Sequence, residues 1–173
     1  MKPARIVHLV AHRGNAREFP ENTLPALQSA LDLGARFLEI DTHLSSDGVP
    51  VVIHDADLAR TTGATGNVFD KPVAELVNTE AAERQRFGAQ YAGTCIPTLA
   101  DAARLLAISA ERNAAGFVLG LPVNMDASEG PRAQSTRAFA RNFAKLSDIP
   151  IVYWDERLST AAVERMLIAA DAS

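Results

Sequence analysis

Short apolar runs rich in β-branched residues recur along this chain, and most of the stretches between them carry helix signals. That alternation is the strongest constraint on the fold. The runs fall at Ile6 to Ala11, Phe37 to Leu44, Val49 to Ile53, Phe117 to Leu121 and Ile149 to Trp154. After the first run, Asn22 and Thr23 offer helix caps, Pro25 falls in a first turn, Leu24, Leu27 and Leu31 share one face, and Gly34 stops the helix. "ARLLAISAERNAAG" reads as one helix ending at Gly116, and Pro131 opens another with Phe139, Phe143 and Leu146 on a stripe. A last helix, capped by Ser159 or Thr160, carries Val163, Met166, Leu167 and Ala170. The fold class expected is α/β, as a mostly parallel five-stranded sheet or a partial βα barrel with alternating helices. At 173 residues the chain is well short of the roughly 250 of an eight-fold βα barrel.

With 47% hydrophobic and 22% charged residues the chain is globular in composition. Ten Lys and Arg face thirteen Asp and Glu up to Ala107, and seven face eight beyond it, so neither part is basic. Bulk electrostatics therefore does not favour nucleic acid as a partner. The single cysteine, Cys95, fits a reducing compartment. The apolar run before His12-Arg13 is too short for a signal peptide or a membrane span, so a cytoplasmic address and no membrane partner are expected.

Chemistry-bearing residues sit at the strand ends. His12 leaves the first strand, and His54 and Asp55 leave the third. In the second, Phe37, Glu39, Asp41 and His43 share one side, so two carboxylates point the same way. Sites of parallel α/β folds collect at the C-terminal ends of strands, so His12, Glu39, Asp41 and His54 are expected to converge. His8 and His43 are read as structural.

The segments "HRG", "PENT", "FLEIDTHLSSDGVPVVIHDADLARTTGATG" and "PTLADAARLL", within residues 6 to 106, resemble the amino-terminal half of the glycerophosphodiester phosphodiesterases. That resemblance implies a barrel holding a divalent metal beside two histidines. It makes Glu39 and Asp41 metal ligands for Mg²⁺ or Ca²⁺, His12 and His54 the acid-base pair, and Arg13 a phosphate contact. Such groups suit a phosphodiester, which needs its oxygens neutralised and two proton carriers working near neutral pH. The partner implied is a small phosphodiester substrate.

The family pattern calls next for a strand of the type Leu-Asn-Ile-Glu-Ile-Lys. This chain has "GFVLGLPVN" instead, which puts Gly120 at the glutamate and Pro122 at the lysine. From about residue 108 to 171 the sequence, with "GLPVNMD" and "DERLST", resembles the carboxy-terminal part of the Holliday-junction-resolvase-like nucleases, also called pre-16S ribosomal RNA nucleases, of RNase H fold. Ala127 stands where those nucleases usually have glycine. Of their metal carboxylates only Glu156 is present, as a remnant; Arg132, Arg137 and Arg141 are read as a solvated helix face.

The chain thus reads as a chimera of a phosphodiesterase-like segment, 1–107, and a nuclease-derived segment, 108–173, packed as a single domain. Three functions are open: weak or absent metal-dependent hydrolysis of glycerophosphodiesters, a catalytically silent designed or recombined protein, and a nuclease-like nucleic-acid binder. Sheet edges left unpaired would favour a homo-oligomer.

Overall fold

The computed structural model describes residues 10–35, 37–110, 117–121, 123–124, 126–144 and 151–155. His8, Gly116, Pro122, Glu156, the beginnings of the first and last expected strands and the final helix lie outside them. Two compact units are present, Met1–Ala114 and Ala115–Ser173.

In the first unit the order is β1 (Val10–His12), α1 (Leu24–Asp32), β2 (Phe37–Glu39), β3 (Thr42–Leu44) and β4 (Pro50–Val52). Three single-turn helices follow, α2 (Ala59–Thr62), α3 (Val73–Leu76) and α4 (Arg84–Phe87), and then α5 (Leu99–Ala110). Thr23 caps α1, its hydroxyl accepting from the Ala26 amide at 3.4 Å, and Gly34 closes it with φ 85°. The buried face of α1 is Ala26, Leu27 and Ala30, which packs with α5. Thr98 begins α5 by exchange with Asp101: each backbone amide donates to the other's side chain at 3.1 Å. Val51, Ile53, Leu58, Val68, Leu76, Ala81 and Ile96 form the core beneath β4.

The strands depart from one continuous parallel sheet. Among the described residues they form three two-stranded sheets, β1 with β2 and β5 with β6 parallel, and β3 with β4 antiparallel. The antiparallel pair follows from the Asp47-Gly48 turn, where Gly48 takes φ 78° and its amide donates to the Ser45 carbonyl at 3.0 Å; so short a link cannot join parallel strands. The expected strand Phe37 to Leu44 is divided between β2 and β3. At the break, the Asp41 amide donates to the Asn22 side chain at 3.2 Å and the Asp41 carbonyl accepts from Ile53 at 3.0 Å.

The second unit holds β5 (Phe117–Leu121), α6 (Pro131–Phe143) and β6 (Ile151–Asp155). Phe117 pairs with Ile151 and Leu121 with Asp155, while Ala133 and Ala140 are buried on α6. Ala127, in the loop between β5 and α6, takes φ 67°. That left-handed conformation is one glycine adopts without strain, which suits the glycine that the sequence resemblance implies at this position. Among the described residues no helix is long and apolar enough to cross a membrane.

Candidate active site

The register of β1 on β2 sets His12 directly beside Glu39, with His12 Nε2 3.8 Å from Glu39 Oε2. The chain then turns through Arg13 (φ 58°) and Gly14 (φ 79°). Gly14 lies so close to α1 that a Cβ would stand 2.6 Å from the Ala26 carbonyl carbon, so the "HRG" turn admits no larger residue. The Arg13 amide donates to the Glu39 carbonyl at 2.9 Å and lies 3.3 Å from its carboxylate.

Three carboxylates surround Arg13. Its guanidinium donates to Glu21 at 2.9 Å, and its Nε lies 3.1 Å from Asp41 Oδ2, an ion pair off the line of a hydrogen bond. Asn22, buried with φ 58°, holds Asp41 through a second bond, Nδ2 to Oδ2 at 3.0 Å. Asn22 was a candidate helix cap from sequence; Thr23 takes that place and Asn22 orients the site carboxylate instead. Burial, and then the neighbouring Asp41, push the Glu39 carboxyl above its usual range.

His54 belongs to a second cluster. Its Nδ1 is 2.5 Å from Asp55 Oδ1, and Arg60 Nε reaches Asp55 Oδ2 at 2.5 Å. Arg60 also donates to Glu21 Oε1 at 2.7 Å, the oxygen that Arg13 holds. Asp55 is pulled down to about 2, chiefly by its bond from Arg60. Burial raises Glu21, but Arg60 and Arg13 together outweigh it and leave the carboxyl below its usual range. His43 Nε2 lies 2.8 Å from the His54 carbonyl; a carbonyl can only accept, so that nitrogen carries the proton. His12, Arg13, Glu39 and Asp41 are thus gathered, and His54 joins them through Asp55, Arg60 and Glu21. The segments "PENT" and "DLARTTGATG" contained Glu21 and Arg60, but neither was singled out from sequence.

A divalent ion would find only part of its ligand set. Mg²⁺ and Ca²⁺ take six or more oxygens, whereas among the described residues no group of three acidic, His or Cys side chains could hold an ion, and Asp41 Oδ2 already faces Arg13 and Asn22. Asp126 and Glu129, the acidic residues of the loop after β5, are engaged locally. Asp126 accepts from the Ser128 amide at 2.9 Å, and Glu129 takes the Arg137 Nε at 2.7 and 2.8 Å. The site as found does not fit a firmly bound ion.

Residues 12–158 match the model of the glycerophosphoryl diester phosphodiesterase family. The chain belongs to that family. Solved structures agree. A phosphodiesterase of Oleispira antarctica is 32% identical with a TM-score of 0.68, over 86% of this chain and 57% of its own. A glycerophosphodiester phosphodiesterase of Agrobacterium tumefaciens is 31% identical with a TM-score of 0.61, over 88% and 60%. This phosphodiesterase-family chain therefore has an α/β, βα-barrel-like fold but spans less than two thirds of those structures. It belongs also with curated proteins named "Putative pre-16S rRNA nuclease". The one from Nitrobacter hamburgensis is 47% identical over 154 residues, 89% of this chain and 78% of the relative. One from Rhodopseudomonas palustris is 77% identical over 74 residues, 43% of this chain and 46% of the relative.

Proposed function

We propose that the chain carries a truncated glycerophosphodiester phosphodiesterase site, in which hydrolysis is weak or absent. The observation that carries this reading is the gathering of His12, Arg13, Glu39 and Asp41 at one strand-exit turn, with His54 held by Asp55 at the exit of β4. The Oleispira antarctica structure holds the product sn-glycerol-3-phosphate, which supports a glycerophosphodiester as the substrate class. In this chain Arg13 would meet a phosphoryl oxygen, and His12 and His54 would carry protons to and from the reacting oxygens. Any Mg²⁺ or Ca²⁺ at Glu39 and Asp41 is weakly bound, because water must fill the remaining positions.

The origin proposed is a join of two enzymes near residues 104–110, giving segments 1–107 and 108–173. It is supported by the likeness to two differently named families and by the division of the chain into units after Ala114, while the family match over 12–158 and the 154-residue nuclease match both cross the proposed join. The nuclease part keeps Glu156 alone of its carboxylates, so nucleic-acid cleavage is not proposed.

Release of choline from glycerophosphocholine, with Mg²⁺ or Ca²⁺, tests the function in this chain and in His12→Ala. Low turnover abolished by His12→Ala is the expected result. Turnover that survives the substitution contradicts the site.

A further inference from the structure

We propose that Arg60 is a positioning residue for His54, acting through Asp55 to hold the imidazole with its proton on Nδ1 and its Nε2 bare. The inference rests on the phosphodiesterase reading for its purpose, but on geometry for its content. Among the described residues the Asp55 carboxylate has two partners, His54 Nδ1 on Oδ1 and Arg60 Nε on Oδ2, both at 2.5 Å. With Arg60 beside it Asp55 stays ionised down to about pH 2, and an ionised carboxylate can only accept. The proton between them therefore belongs to His54 Nδ1, so that whenever the ring is neutral Nε2 is the nitrogen left as base.

Arg60 is itself fixed from the other side. Its remaining bond goes to Glu21, whose side chain is 11% exposed, is shared with Arg13, and whose amide donates to Glu83 Oε1 at 2.6 Å. His54 is thus tied through Asp55, Arg60 and Glu21 to Arg13, which is how His12 on β1 and His54 beyond the end of β4 are kept in one frame. Without Arg60, Asp55 would keep no partner but the histidine it must orient. No sequence periodicity marks the residue, since α2 is one turn long.

Nitrogen-detected imidazole NMR of the full chain reads the tautomer without any need for turnover. In the unmodified protein His54 should show a protonated Nδ1 and a bare Nε2. Arg60→Ala should give a mixture of tautomers at His54 while His43 keeps its protonated Nε2, and Arg60→Lys, which keeps a charge beside Asp55, should recover most of the original form. Where turnover is measurable, Arg60→Ala should lower kcat roughly tenfold or more with KM little changed, as for other residues that orient a ligand or base from behind. An unaltered His54 tautomer in folded Arg60→Ala would overturn the proposal. An altered tautomer in a chain that shows no turnover even as folded Gly120→Glu would uphold it and count against the phosphodiesterase reading alone.

Discussion

Arg13 Nε lies 3.1 Å from Asp41 Oδ2, so the residue expected to meet phosphate is already paired with one expected to meet metal. Glu21 holds the same guanidinium at 2.9 Å, and all three side chains are largely covered. Removing the cation would take a shared partner from two largely covered carboxylates, leaving Glu21 to Arg60 and Asp41 to Asn22, a neutral group, which costs more than the lost contacts alone. Arg13→Ala should lower stability by about 2 kcal/mol, read from the urea dependence of amide exchange at Ile53 and its neighbours in β4. A loss under about 0.5 kcal/mol would show that the cluster contributes little to the fold.

Glu39 and Asp55 should pull the pH dependence in opposite directions. The folded carboxyl of Glu39 is raised, so its favourable contribution is full below the usual glutamate range and fades as pH rises through the raised value. Asp55 is depressed to about 2, so its contribution is present above about 4 and is lost as pH falls toward 2. Glu39→Gln should therefore stabilise the first unit at pH 7, by a few tenths of a kcal/mol after solvent screening, and have no such effect at pH 4. Amide exchange at both pH values measures it; a destabilised variant at pH 7 would reverse the sign.

Ala127 occupies a left-handed conformation that glycine adopts without strain. Ala127→Gly should stabilise the second unit by about 0.5–1 kcal/mol, since relief of strain exceeds the extra entropy of the unfolded glycine. The sole tryptophan, Trp154, lies in β6, so its fluorescence during urea unfolding reports that unit. A lower midpoint would contradict the strain.

Nuclease turnover should be absent. Two-metal phosphodiester cleavage needs several carboxylates, and Glu156 is the single one that matches the nuclease pattern. Incubation with branched DNA and structured RNA in Mg²⁺ checks this; cleavage that disappears in Glu156→Gln would refute it.

Much of the local structure was legible because it depends on neighbours in sequence. The bounds expected for Phe117 to Leu121 are those of β5, Pro131 opens α6, and Thr23, Pro25 and Gly34 frame α1. His12 and Glu39 were expected to converge with Asp41 and His54, and the register of β1 on β2 sets the first two side by side. Other features depend on residues far apart. The break at Asp41 is made by Asn22, nineteen positions earlier, and a helix cap is the commoner use of an asparagine before a leucine-rich helix. Arg60 meets Glu21 across thirty-nine positions from a helix too short to show a face. Neither partnership leaves a periodic signal.

The central proposal is that the site is a phosphodiesterase site short of one carboxylate, the sequence resemblance aligning Gly120 with the family's glutamate. Hydrolysis of glycerophosphocholine in Mg²⁺ or Ca²⁺ should be compared for the unmodified chain and for Gly120→Glu, with folding confirmed by Trp154 fluorescence. Each missing stabilising group is worth roughly 2–4 kcal/mol, so the unmodified chain should turn over several orders of magnitude below a complete site, and the restored glutamate should raise the rate. Robust metal-dependent turnover by the unmodified chain, or no gain at all in a folded Gly120→Glu protein, would contradict the account.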